Sequence, residues 1–246
     1  MIRKILAALF AVWALIFFVL TLLPVALLMW FIGVIKEPNR TQIFRIISNI
    51  WMRFFFMITG CGIKIRGRKN FEKGKNYIIT CNHNSFMDVP VTTPFIPGAN
   101  KTIAKAEMAK IPVFGLIYKR GSVLVDRNDK NSRKDSFRKM KHVLALGMHM
   151  CIYPEGTRNK TDQPLKEFHD GAFKLAIDTN TNILPAILFG TRRILPPGKA
   201  FYFWPGQMEI HFLSPVNITT GESYENLKER VFKIMYKYIA DRAPAK

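Results

Sequence analysis

His83 leaves an apolar, β-prone run, and Asp88 follows five residues later in Asn-His83-Asn-Ser-Phe-Met-Asp88-Val-Pro. A carboxylate bent back onto an imidazole fixes the ring tautomer and stabilises the imidazolium, so the other ring nitrogen can take a proton from a hydroxyl. The same stretch also has a structural reading. Ser85 and Asp88 fit the S-x-x-D start of a helix, in which Asp88 satisfies only backbone donors. Taken alone, the stretch does not separate a general base from a helix cap. A second group, Glu155-Gly156-Thr157-Arg158, again follows an apolar run. Glycine after a strand allows close main-chain approach, threonine offers a hydroxyl, and arginine offers a planar fork suited to phosphate. An ordinary tight turn with a solvated ion pair is the plainer alternative. Lys105 and Arg127 also end β-prone runs. Ligands of open α/β sheets gather beyond strand ends, so these cations can converge on one anionic group. With 37 Lys and Arg in the chain, surface scatter competes with that convergence.

Two other chemistries fit poorly. No G-x-S-x-G elbow surrounds Ser85, which argues against a serine hydrolase. His142, His149, His169 and His211 lack H-E-x-x-H spacing, and no metal is expected. Cys61, Cys81 and Cys151 have no metal spacing and fit a reducing compartment; Cys81 and Cys151 lie in apolar runs as small hydrophobes.

Positioning these side chains requires a sheet. Short β-prone runs occur at 63–66, 77–81, 101–104, 122–125, 149–153, 183–189 and 207–212, with helix-like stretches at 86–95, 130–146, 171–178 and 224–241. Such alternation predicts an α/β domain, a mixed, largely parallel sheet flanked by helices. It is expected to occupy residues 62–246, behind membrane-anchoring helices in residues 1–61.

The composition supports that division. Apolar residues make up 49% of the 246, yet the formal net charge is +20, so grease and charge must be segregated. Residues 5–35 contain no charge, and only Thr21, Pro24 and Gly33 break the apolar run. At ~1.5 Å per helical residue this exceeds a ~30 Å hydrocarbon core, so the segment can span a bilayer or dip in and return. A signal peptide has a shorter apolar region of roughly 7–15 residues, which favours retention of the segment. Trp13, Phe17 and Trp30 are its expected aromatic anchors. In a second apolar segment, 43–58, Arg45, Asn49 and Arg53 recur every four residues beside Trp51. That pattern suits a helix lying in a membrane interface with its arginines at headgroup level. A core helix with outward arginines is the alternative. So basic a chain could also bind nucleic acid, which the apolar N-terminus argues against, or act as a membrane-surface adaptor, which leaves the motifs unexplained.

The ordered blocks NHNSFMD, KAEMAKIPVFG, GSVLVDR, YPEGTRN and ILPAIL closely resemble the phospholipid and glycerol-phosphate acyltransferase family, specifically its bacterial 1-acylglycerol-3-phosphate acyltransferases. The resemblance covers roughly residues 63–189. It implies a glycerol-3-phosphate acyltransferase-like fold and transfer of a fatty acyl chain to 1-acylglycerol 3-phosphate (lysophosphatidic acid), giving phosphatidic acid. By the same resemblance His83 and Asp88 are catalytic. Arg127, Glu155, Gly156, Thr157 and Arg158 bind the acceptor's phosphate, with Lys105 as a further contact, and Pro185 shapes the acyl site. The implied donor is acyl-CoA or acyl carrier protein, a co-substrate with no other cofactor. The implied location is the inner, cytoplasmic membrane with the catalytic domain facing the cytoplasm. Glycerol 3-phosphate or another lyso-lipid is the alternative acceptor, and the sequence carries no signal for oligomeric state. Two departures stand out: Tyr153 where phenylalanine is usual, and Asn159 where serine is common. Neither is expected at a charged or proton-transferring position.

Overall fold

The computed structural model describes residues 1–242. Two helices, α1 (Ile2–Phe31) and α2 (Asn39–Ile58), precede β1 (Gly62–Arg66) and β2 (Ile78–Cys81). A short helix α3 (Asp88–Thr92) leads to β3 (Asn100–Lys105), α4 (Phe114–Gly121) and β4 (Ser122–Val125). Next come α5 (Lys130–Ala145), β5 (His149–Ile152), α6 (Gly171–Thr179) and β6 (Ile183–Phe189). Helix α7 (Thr191–Ile194), β7 (Gln207–Phe212) and α8 (Tyr224–Ala240) follow. The strands form one sheet in the order β1-β7-β6-β2-β5-β3-β4. It is mixed and largely parallel, as expected; among these strands only the neighbours β6 and β7 run antiparallel.

Strands β2 and β5 are buried along their whole length, which is why they read as unbroken apolar runs. Side-chain alternation splits them between two cores. Ile79, Cys81 and Cys151 join the layer made with α1 and α2, whereas Ile78, Met150 and Ile152 join the layer under α5, α6 and α8. Helix α5 starts where Asp129 accepts the N–H groups of Asn131 and Ser132. The sequence gives no comparable signal for α4 or α7, which are short and lack a side-chain cap.

The boundary near residue 62 separates α2 from β1 in the chain but not in the packing. Met29, Trp51 and Phe56 share one core with Ile79, Cys81 and Met208. With the turn that follows it, α1 runs from Ile2 to Val34 with a peak mean hydropathy of 2.8, long and apolar enough to cross a membrane. It nevertheless touches the sheet domain near both ends. The Phe203 N–H donates to the Ala7 carbonyl at 3.1 Å, and Phe10 meets Trp204 edge to face at 6.0 Å. At the other end the Arg120 guanidinium occupies the space that a Cβ on Gly33 would need. The connection to α2 is tied to β3 through Glu37, whose carboxylate pairs with Lys101 at 2.9 Å and Arg40 at 2.8 Å and accepts from the Thr41 hydroxyl at 2.6 Å.

Two expectations for the anchors change. Trp51 is buried: it stacks on Phe18 at 5.1 Å and donates its indole N–H to Thr21 Oγ1 at 2.9 Å, so it braces α2 against α1 instead of meeting lipid. The Arg45, Asn49 and Arg53 stripe does not simply face headgroups. Asn49 donates to the Pro94 carbonyl at 2.9 Å, and Arg53, held by Asn49, lies over the Phe95 ring at 5.3 Å, which docks α2 on the segment after α3. Arg45 is half-buried beside Gln42. Ile46, Ile50, Phe54 and Met57 are the outward apolar residues of α2, and Phe17 packs against Phe54 at 5.4 Å. Trp13 and Trp30 remain exposed.

Candidate active site

Because β6, β2, β5, β3 and β4 are parallel, their carboxyl ends lie along one edge of the sheet. His83 follows β2, Glu155 follows β5, Lys105 ends β3 and Arg127 follows β4, so topology alone brings four dispersed motifs to that edge. Asn82 fixes the start of the first loop by pairing with Leu188 of β6 in both directions, at 3.1 and 2.7 Å.

His83 Nδ1 lies 2.8 Å from Asp88 Oδ2. Since a carboxylate only accepts, Nδ1 carries the proton and Nε2 presents its lone pair. The same Oδ2 accepts the main-chain N–H groups of Asn84 at 2.6 Å and Ser85 at 2.7 Å. Helix α3 begins at Asp88 with no side-chain cap, so Ser85 does not cap it; Asp88 instead holds the main chain of the loop ahead of the helix and orients the histidine with the same oxygen. Asp88 is fully buried and its Oδ1 has no partner, so Oδ2 and its three donors carry the ion's stabilisation. Those donors are used on Asp88 and are not free for an oxyanion. Ser85 is structural. Its hydroxyl donates to the Leu195 carbonyl at 2.6 Å and accepts the Met87 N–H at 3.0 Å.

Glu155 needs correction. Grouped with the phosphate-binding residues, it is 1% exposed, and both oxygens accept main-chain N–H groups, Oε1 from His83 at 2.6 Å and Oε2 from Lys166 at 2.9 Å. A phosphate would find no donor there and would meet negative charge. Burial pushes the Glu155 carboxyl above its ordinary range, opposed by the Lys166 and His83 N–H groups. Glu155 thus joins the His83 loop to the loop carrying Thr157 and Arg158. A third link is the Asn159 N–H, which donates to the His83 carbonyl at 2.6 Å.

The remaining cations are only partly assembled. Arg127 donates to the Gly156 carbonyl. Gly156 has φ +69°, and a Cβ there would strike the His169 ring. Arg158 stacks on Phe86 with its guanidinium carbon 3.5 Å from the ring centroid, three residues from His83 in sequence. Thr157 Oγ1 accepts from Lys166 Nζ at 2.7 Å, which adds a cation that sequence reasoning did not include. Lys105 turns to Glu107 at 3.4 Å, and its strand position pairs with Val125, two residues before Arg127. Pro185 is buried within β6, its carbonyl accepting from Leu213 at 2.8 Å.

Tyr153 lies closer to the chemistry than its sequence position implies. Its ring lies against the His83 imidazole, centroids 4.4 Å apart, and its hydroxyl is 2.7 Å from Thr92 Oγ1 on α3. The residue set apart as a neutral departure is the wall on which the imidazole rests. The remaining side of His83 is open, with 19% of the side chain exposed. A base fixed from behind, with two arginines on adjoining loops that form no salt bridge among the described residues, can deprotonate a hydroxyl carried on a phosphorylated molecule.

Comparison with known proteins follows the same lines. A relative from Borreliella burgdorferi, named 1-acyl-sn-glycerol-3-phosphate acyltransferase, is 30% identical over 80% of this chain and 78% of its own. One of the same name from Helicobacter pylori is 28% identical over 75% of this chain and 77% of its own. The chain spans 56% and 51% of the length of the Chlamydomonas reinhardtii and Arabidopsis thaliana relatives that it matches. The crystal structure of the 1-acyl-sn-glycerophosphate (LPA) acyltransferase from Thermotoga maritima has the same fold, with TM-score 0.78 and 21% identity over 99% of both chains. The family described as Acyltransferase matches residues 62–188, more than half of the 246 residues and the whole of the edge that carries His83, Asp88 and Arg158, and the chain belongs to that family.

Proposed function

We propose that this protein transfers a fatty acyl group from a thioester to the free hydroxyl of 1-acylglycerol 3-phosphate, giving phosphatidic acid at a membrane surface. The observation that carries this reading is the coupling through Glu155: one buried carboxylate fixes the backbone of the base and the loop that bears the phosphate-binding arginine. Arg158 and Arg127, with Lys166 beside Thr157, grip the acceptor's phosphate and present its hydroxyl to His83 Nε2. Nε2 takes the hydroxyl proton as the oxygen attacks the thioester carbonyl. The tetrahedral intermediate then expels the thiolate, which recovers the proton from the imidazolium. Asp88 stabilises that imidazolium through Nδ1, and no acyl-enzyme forms.

The donor is a thioester of coenzyme A or of acyl carrier protein, and the steps call for no other cofactor. The outward apolar surfaces of α1, with Trp13 and Trp30, and of α2, with Ile46, Ile50 and Phe54, enter the lipid. Since α1 touches the sheet domain near both ends, it lies along one leaflet and does not thread the bilayer. The membrane is the inner one, with the site facing the cytoplasm where acyl thioesters are made. The test is a matrix of acceptors and donors with purified protein in detergent. Transfer to 1-acylglycerol 3-phosphate in preference to glycerol 3-phosphate and other lyso-lipids is expected. Thioester consumption with none of the pairs refutes the reading.

A further inference from the structure

On the other flank of β2 from the arginines just described, a cavity of about 510 Å³ opens beside β6 and β7, its walls including Arg3, Arg192, Arg193, Lys199, Tyr202 and Trp204. No acidic residue lines it, and among the described residues none of these four cations forms a salt bridge. They are held by other means. Arg192 donates to the Thr161 carbonyl at 2.7 Å, Arg3 lies over Trp204 at 5.1 Å, and Lys199 lies over Tyr202 at 5.0 Å. Cations fixed by carbonyls and ring faces keep their full charge for a ligand, and several aimed into one concavity select a polyanion over a single phosphate.

The cavity also abuts the catalytic loop. Ile194 and Pro196 line it, and the carbonyl of Leu195 between them accepts the hydroxyl of Ser85, two residues from His83. The reaction needs two anionic reactants to approach His83 from different sides. The acceptor's arginines come from the loops after β4 and β5, Arg127 and Arg158, the latter lying over Phe86 of the His83 loop. The cavity lies on the β6 side, where the second reactant must enter.

Resting on the acyltransferase reading above, we infer that this cavity binds the phosphorylated adenosine diphosphate of a coenzyme A thioester and so aligns the donor across His83 from the acceptor. Arg3, Arg193 and Lys199 are its exposed cations, and Arg193 and Lys199 lie outside both α1 and the catalytic machinery. Aromatic walls suit an adenine ring, and the clustered cations suit a nucleotide diphosphate with a further ribose phosphate.

The test uses the full chain in detergent and compares the wild type with the double variant Arg193→Glu/Lys199→Glu. A charge-matched control, Lys69→Glu/Lys73→Glu, alters exposed lysines far from the cavity in sequence. The expected result is a rise of about tenfold or more in KM for acyl-CoA, with kcat and the acceptor's KM within about twofold. KM for an acyl-pantetheine, which lacks the nucleotide, stays the same in variant and wild type, and the control behaves as wild type. Equal changes with both donors, an equal change in the control, or no change at all overturns the assignment. So does transfer from acyl carrier protein alone. Calorimetric titration with coenzyme A separates this inference from the function it rests on. If no thioester is consumed but wild type binds coenzyme A and the double variant does not, the functional reading falls and the cavity assignment stands. Unchanged coenzyme A binding, with loss only of binding to anionic lipid vesicles, assigns the cavity to lipid headgroups and overturns the inference.

Discussion

Glu155 Oε1 accepts the main-chain N–H of His83 at 2.6 Å, so the acid of the EGTR block supports the catalytic histidine and does not touch a phosphate. Its other oxygen accepts Lys166 N–H; the oxygen of an amide could keep one of these two bonds, but its NH2 would oppose the other N–H. Glu155→Gln is therefore expected to lower kcat by about tenfold or more and to cost ~1–3 kcal/mol of stability, while KM for the acceptor stays nearly constant. Arg158→Ala should do the reverse, raising the acceptor's KM most. Steady-state kinetics with the acceptor varied check both; a KM effect for Glu155→Gln as large as that of Arg158→Ala contradicts the assignment.

Acid stability should have two separable origins. Burial holds the His149 imidazole down at about 4 from an ordinary 6.5, against a hydrogen bond to the Pro97 carbonyl, and the neutral ring accepts the Tyr77 N–H at 3.0 Å. As pH falls below 6.5 the unfolded chain takes up a proton that the folded protein refuses until about 4, so stability is lost across that window, on the order of 3 kcal/mol. At Glu37 burial acts to raise the pKa, but bonds from Thr41, Arg40 and Lys101 overcome it and hold the carboxyl at about 2, from an ordinary 4.5. Its contribution is present above 4.5 and is lost as pH falls toward 2. Urea titrations of His149→Asn should show a flatter stability profile between pH 6.5 and 4, and those of Glu37→Gln a flatter profile only below 4.5. Profiles parallel to wild type would remove these groups from the account.

The orientation of α1 gives a further expectation. Ile2 and Val34 are exposed, whereas the native Cys61, Cys81 and Cys151 are buried. Single cysteines at Ile2 and Val34 in sealed vesicles should both react with an impermeant thiol reagent from the same side. Reaction from opposite sides would mean that α1 crosses the bilayer.

Strands β2, β5 and β6 were legible as short runs buried on both faces, whereas β1 was legible from the alternation of polar and apolar residues. His83 and Asp88 were legible as a catalytic pair only together with the ordered blocks that follow them, since the stretch by itself suits a helix start equally well. What Glu155 and Tyr153 do was not legible. Each acts through His83, just after β2, and adjacency of β2 and β5 is a property of the sheet order, with His83 and Glu155 72 positions apart in the chain. Trp51 and the Arg53 stripe misled for a related reason. Helical periodicity shows which side chains share a face, but what covers that face is decided by the rest of the fold, here by Phe18 and Phe95.

The central claim is that His83 is the base, and initial-rate acyl transfer by His83→Ala, measured alongside vesicle binding, tests it most directly. The Asp88 and Glu155 contacts to the loop main chain survive this change, so the fold and lipid binding should persist. The account predicts that kcat falls by roughly 10²–10⁴-fold with the acceptor's KM little altered. Turnover near the wild-type rate in a protein that still binds vesicles would contradict it.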